Sequence, residues 1–246
     1  MLIIPAIDLR GGKCVRLRQG RAEEMTVFSD DPVATGLKWQ AAGAKWLHVV
    51  DLDGAFSGSP QNLSAIRNLR KSLNIPIELG GGIRTLDTIE SYLDLGLDRL
   101  ILGTVILKDP DLAKRACTEF PGKIALGLDA KNGLLALEGW TETSRKTALE
   151  VAKSLEPLRP AALIYTDIAR DGVKKGVNLA ATQALAEAVN LPVIASGGVS
   201  TIADIEALLP LEAAGVVGVI TGRALYDGSL DLTEAIKLAQ KGSTEY

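Results

Sequence analysis

Histidine is almost missing from this chain: among 246 residues there is one, His48, and there are only two cysteines, Cys14 and Cys117. Imidazole or thiolate metal centres need several ligands at short spacings, so the sequence offers no metal site and no redox cysteine pair. Both thiols are therefore read as reduced, which fits a reducing cytoplasm. Excess positive charge is missing too. With a net charge of -3, the chain lacks the basic surface that binds a nucleic-acid backbone, and no nucleic-acid partner is expected. No apolar run approaches the roughly 20 residues that span a membrane. The opening Met-Leu-Ile-Ile-Pro-Ala-Ile-Asp has neither a basic region nor a long apolar core, so a soluble, cytoplasmic protein without a membrane partner is the expectation. Linkers and low-complexity segments are also lacking, and no Gly-x-Gly-x-x-Gly opens the first helix, which argues against a dinucleotide-binding sheet.

What is present is a regular rhythm. Apolar runs of strand length fall at 3–7, 46–50, 75–79, 99–102, 124–128, 161–165, 193–196 and 216–220. Helical patterns lie between and after them, near 32–43, 60–73, 85–95, 109–118, 147–156, 178–189, 201–209 and 231–241. Asp31-Pro32 and Asp109-Pro110 are helix starts, with a capping carboxylate followed by a proline that suits the first turn. Residues 11–30 read as a long, polar, glycine-punctuated loop, and loops of that length are often functional. Eight strands alternating with eight helices predict an α/β protein, a single (β/α)8 barrel over residues 1–246.

The two halves echo each other. Leu-Gly-Gly-Gly-Ile-Arg-Thr at 79–85, followed by Leu-Gly-Thr at 102–104, recurs about 116 residues later as Ser-Gly-Gly-Val-Ser-Thr at 196–201 and Thr-Gly-Arg at 221–223. Val50-Asp51-Leu52 parallels Thr166-Asp167-Ile168, and Asp53-Gly54 with Gly58 parallels Asp171-Gly172 with Gly176. This is the pattern of a duplicated half-barrel. Glycine turns at strand ends let backbone N–H groups converge on an anion, and their duplication suggests two phosphates.

In this fold the chemistry sits just past the strand ends. Asp8 and Asp129 end equivalent strands and face each other across the mouth, as a general acid and base would. For one of them to stay protonated, burial or a neighbouring charge must raise its pKa. Thr166 and Asp171, around the end of the sixth strand, offer a hydroxyl and a carboxylate. His48 is a candidate supporting residue on the second strand; Arg18 and Gln19 lie in the first loop, and Trp140 follows the fifth strand.

The segments 4–20, 48–54, 80–84, 166–172 and 196–199 together resemble the phosphoribosylformimino-aminoimidazole carboxamide ribotide isomerases of histidine biosynthesis, over nearly the whole chain. The resemblance implies an Amadori rearrangement of an aminoaldose ribotide into its aminoketose, a substrate with a phosphate at each end, and no cofactor. Asp129 would be the acid that opens the ribose and Asp8 the base at C2, with Thr166 assisting. Asp171 would contact substrate and Trp140 would stack on the imidazole. Gly82, Gly103 and Thr104 would hold one phosphate, and Gly176, Gly198, Gly222 and Arg223 the other. Three rivals fit less well, since the run here is Ile-Pro-Ala-Ile-Asp with Arg18 in the first loop, Glu138 stands before the loop tryptophan, and Asp8 and Asp129 are intact. The sister cyclase typically opens Ile-Pro-Cys-Leu-Asp with a lysine in its first loop. The bifunctional enzyme that also takes phosphoribosylanthranilate carries an arginine where Glu138 stands here. The third is a barrel that only binds a diphosphorylated ligand. A monomer is the expected state.

Overall fold

The computed structural model describes residues 1–18, 21–137, 140, 142–173 and 175–242, without the side chains of 18, 21–23, 137, 142, 143 and 242. The expectations placed on the Arg18 side chain, on Gln19 and on Glu138 lie outside that description. Among the described residues twelve strands are formed: β1 (Leu2–Arg10), β2 (Lys13–Arg18), β3 (Arg21–Ser29), β4 (Leu47–Asp51), β5 (Ile77–Gly80), β6 (Arg99–Leu102), β7 (Ile124–Lys131), β8 (Leu134–Leu137), β9 (Glu142–Thr147), β10 (Ala162–Asp167), β11 (Val193–Ser196) and β12 (Val216–Thr221). Eight of them pair in parallel in the order β1-β4-β5-β6-β7-β10-β11-β12, and β12 returns to β1. The sheet is a closed barrel with helices between successive strands, as the alternating pattern predicts.

Strand alternation sorts the side chains into two layers. On β1, Ile3, Ile7 and Leu9 face the helices, while Ile4 and Ala6 join Ile101, Ala125, Ile164, Ile194 and Ile220 inside the barrel. Both faces are dry, so the strand reads as one apolar run. The next inward step after Ala6 is Asp8, at the C-terminal mouth; on β7 the steps Ala125, Gly127, Asp129 repeat this. A period of two thus delivers both aspartates to one opening. Leu47, Leu79, Leu100 and Leu102 are fully buried in the outer layer, each contributing roughly 1.5–3 kcal/mol by leaving water.

Helix starts follow the expected chemistry. The Asp31 carboxylate accepts from the N–H of Ala34 at 2.9 Å, and Asp109 from that of Leu112 at 3.0 Å, each ahead of a first-turn proline. Among the described residues, no helix is long and apolar enough to cross a membrane.

Two features depart from the sequence reading. The excursion at 11–30 is a hairpin: Gly11 and Gly12 turn the chain at φ 56° and 76°, and β2 pairs antiparallel with both β1 and β3. A second hairpin, β8–β9, grows from β7 at the matching place in the other half. These strands mix charged and apolar residues or run to only four residues, so they leave little alternation to read. Short helices also follow three strand ends, at Leu52–Ser57, Val105–Lys108 and Arg223–Tyr226.

Candidate active site

The barrel mouth opens into a cavity of about 840 Å³. Its wall includes Asp8, Asp129, Thr166, Asp171, His48 and Trp140, contributed by β1, β7, β10, β4 and the loops beyond. Residues far apart in the chain are thus brought to one place by the closure of the sheet.

Sequence reasoning missed Arg16, which organises this wall. Its side chain reaches in from β2, donating from Nη1 to Asp8 at 2.8 Å and from Nη2 to Asp171. Burial works against the guanidinium charge, but Asp171 and Asp8 outweigh it and hold the Arg16 pKa well above its ordinary value. One signal could have found it: β2 read as a strand places Arg16 two residues from Cys14, on a definite face, which a loop reading cannot do.

Asp129 sits in a different environment. Its Oδ2 accepts the indole N–H of Trp140 at 2.8 Å, and the Thr166 hydroxyl, from the residue directly opposite on β10, is a second partner. Burial pushes the Asp129 carboxyl up, and hydrogen bonds from Trp140 and Thr166 together with nearby His48 offset this only in part, so its pKa is raised. Asp171 is raised as well: burial is the main cause, and the Asp8 and Asp129 charges add to it against the pull of Arg16. Trp140, the residue expected to cover a flat ring, donates its indole N–H to Asp129 here; its own backbone lies in the left-handed region at φ 76°.

The glycine turns form two matched cradles. Gly81 and Gly82 have φ of 102° and 72°, and a Cβ would meet the Asp51 carbonyl oxygen at 2.2 Å and that of Gly54 at 2.5 Å. In the other half Gly197 and Gly198 have φ of 88° and 96°, and a Cβ would meet the carbonyl oxygens of Asp167 at 2.7 Å and Gly176 at 2.3 Å. Only glycine fits such positions. Asp51 and Asp167 tie the loops down in parallel ways, Asp51 accepting from Gly54, Gln61 and Asn62, and Asp167 from Ala169 and Asn178. Gly103, Thr104, Gly222 and Arg223 line the cavity beside these turns.

Gly176 stands elsewhere. Its N–H donates to the Gly198 carbonyl at 3.1 Å, so it backs the cradle rather than facing the cavity. The parallel between Gly58 and Gly176 also fails in space: Gly58 lies against the Arg84 guanidinium, not behind Gly82.

His48 is held from below. Its Nδ1 lies 2.7 Å from Glu78 Oε1, and Glu78 in turn accepts from Arg99 Nε at 2.8 Å. Among the described residues no group of three His, Cys, Asp or Glu is arranged to hold a metal ion.

The closed barrel and its carboxyl-lined mouth define a (β/α)8 enzyme. Within that class the chain belongs to the family described as histidine biosynthesis protein, whose model matches residues 2–231. It is 54% identical to a protein of Geotalea daltonii over 99% of this chain and 100% of the relative, and 55% identical to one of Pelobacter propionicus over 100% of both. A relative from Syntrophotalea carbinolica is 56% identical over 98% of this chain and 99% of its own length. All three bear the name 1-(5-phosphoribosyl)-5-((5-phosphoribosylamino)methylideneamino)imidazole-4-carboxamide isomerase.

Proposed function

We propose that this chain catalyses the reaction named for those relatives, the Amadori isomerisation of the aminoaldose ribotide to its aminoketose. The observation that carries the reading is the division of labour at the mouth: Asp8 is paired with a cation, whereas Asp129 is buried beside neutral direct donors with a raised pKa. A base and an acid are thereby made from the same residue type.

Asp129, protonated, gives its proton to the ribose ring oxygen as the C1–O bond opens, leaving a Schiff base between C1 and the bridging nitrogen. Asp8 then takes the C2 proton, and the electron pair moves into the C1–C2 bond to give an enaminol. Return of a proton to C1 and loss of the C2 hydroxyl proton complete the aminoketose, so atoms balance with no co-reactant. Well-placed acid and base groups are each worth about 10²- to 10⁴-fold. Thr166, bonded to Asp129, steadies the acid, and Asp171 with Arg16 contacts the sugar.

The two cradles sit on opposite halves of the mouth, and in this reading they take the two phosphates. Gly82, Gly103 and Thr104 serve one end; Gly198, Gly222 and Arg223 serve the other, with Gly176 behind. Turns and helix starts offer several aligned N–H groups, which suit a dianion. Trp140 would leave Asp129 to cover the imidazole once substrate is bound. The reading includes a monomer working in the cytoplasm without a cofactor, and the free, buried thiols of Cys14 and Cys117 suit that compartment.

The test is direct: purified protein is mixed with the aminoaldose ribotide, and separately with phosphoribosylanthranilate, and the products are resolved. Aminoketose from the first alone is the expected result. Its absence would overturn the proposal.

A further inference from the structure

Inside the barrel, three neighbouring strands carry polar residues in one row. His48 on β4 is registered opposite Glu78 on β5, and Glu78 opposite Arg99 on β6. Around this row the interior packs apolar residues, Ile4, Ala6, Ala125, Ala162, Ile164, Ile194 and Ile220. A fully buried carboxylate among such neighbours is not needed for stability, since well-packed apolar residues of similar size often do as well or better. The row runs from floor to mouth. Arg99 lies over the Trp46 ring at 4.5 Å and grips Glu78 through Nε and Nη2, while His48 reaches the cavity wall in the surroundings of Asp129.

We infer that Glu78 is a positioning residue which, locked by Arg99, fixes His48 as the Nδ1–H tautomer and turns an accepting Nε2 toward the substrate beside Asp129. The chemistry follows from the donor inventory. An ionised carboxylate only accepts, so Nδ1, at 2.7 Å from Glu78 Oε1, must carry the proton. Burial opposes the Glu78 charge, but the His48 and Arg99 contacts more than offset it, and the carboxyl is held below its usual range. Glu78 and Arg99 balance one another's charge, and the imidazole completes the row as a donor through Nδ1. The hydrogen bond at one ring nitrogen decides the role of the other. Nε2 is then a lone pair available to a substrate hydroxyl on the side where Asp129 delivers its proton. This inference rests on the proposed isomerase reading for its substrate, and on geometry alone for its tautomer.

The test uses the single imidazole of the chain, observed by nitrogen-15 NMR in the intact protein. The expected wild-type spectrum shows a proton on Nδ1 and none on Nε2; a ring protonated on Nε2, alone or together with Nδ1, overturns the inference, whether or not the protein turns over any substrate. Glu78→Gln sharpens it. Arg99 requires the amide oxygen, which leaves the amide N–H₂ facing His48, so Nδ1 becomes the acceptor and the proton moves to Nε2. The variant is expected to show that switched tautomer and to lose about tenfold in kcat, the worth of one hydrogen bond made in the transition state. In a His48→Ala background the same substitution is expected to change kcat no further. An added loss there would mean that Glu78 acts through packing and would overturn the inference. If Glu78→Gln does not fold, the wild-type spectrum decides alone.

Discussion

Arg16 Nη1 donates to Asp8 Oδ2 at 2.8 Å, and this contact distinguishes two aspartates that the duplicated topology makes equivalent. Asp129, the counterpart of Asp8, has an indole N–H and a hydroxyl as its direct partners. Both halves extend the catalytic strand into a hairpin, and in the first half that hairpin brings a permanent cation to the mouth. A pseudo-symmetric scaffold thereby acquires two unlike sides, which the proposed mechanism uses as base and acid.

Asp8→Asn and Asp129→Asn are each expected to lower kcat by about 10²- to 10⁴-fold, because the lost proton transfers belong to the transition state. Substrate affinity, measured by calorimetry on the inactive variants, is expected to stay within a few-fold of the parent. A variant with near-parental kcat would strip that residue of its role.

Arg16→Met leaves Asp8 and Asp171 close together with no cation between them. Arg16 pulls the Asp171 pKa down, so without it the Asp171 carboxyl becomes harder to ionise, and the acid limb of the kcat/KM profile is expected to move to higher pH. Removing one member of a buried ion pair typically costs about 3–5 kcal/mol, so thermal melts should show a clear loss of stability as well. An unmoved acid limb in a folded variant would show that Arg16 is not what supports the base.

The raised pKa of Asp129 makes a stability prediction. In the unfolded chain the carboxyl ionises near its ordinary value of about 3.9. Between that value and the raised native one, the native state holds more protons than the unfolded state, so native stability falls as pH rises through this window and stays reduced above it. Asp129→Asn cannot ionise, and its amide oxygen can still accept from Trp140. At neutral pH the variant is expected to melt a few degrees above the parent, and at a pH below the ordinary carboxylate range the difference is expected to vanish. The same difference at both pH values would point to packing instead of charge.

Trp140→Phe keeps a ring at the mouth but removes the N–H bonded to Asp129. That donor stabilises the charged carboxylate, so without it the Asp129 pKa rises further. The limb of the kcat profile that reports loss of the acid's proton is expected to move to higher pH. A shift to lower pH would contradict the assigned acid.

Gly82→Ala and Gly198→Ala each force a Cβ to within 2.5 Å and 2.3 Å of a backbone carbonyl oxygen, at positive φ. Each is expected to raise KM at least tenfold by opening its cradle, with a smaller change in kcat. Parental KM in either variant would remove that turn from substrate binding.

The barrel was legible because β1 and β7 are buried on both faces and read as continuous apolar runs, each ending at an aspartate one inward step past an alanine or glycine. Helix starts at Asp31-Pro32 and Asp109-Pro110 were equally plain, since capping depends on residues three apart. The hairpins were not, because their strands pair with neighbours in sequence and are either charged, as in β2, β3 and β9, or only four residues long, as in β8. Arg16, placed by one of them, was lost with it, and the bond from the Gly176 N–H to the Gly198 carbonyl had no local signal to announce it.

By itself the sequence determined the class of fold, the halves that repeat, the two opposed aspartates and the glycines that only positive φ explains, because each of these depends on periodicity or local sterics. Tertiary structure alone decided which aspartate meets a guanidinium, which is buried without one, that Trp140 donates to Asp129, and that Arg99, Glu78 and His48 form one row. Those outcomes depend on charge, burial and hydrogen-bond partners brought together across strands far apart in the chain, and proximity of that kind has no period to read.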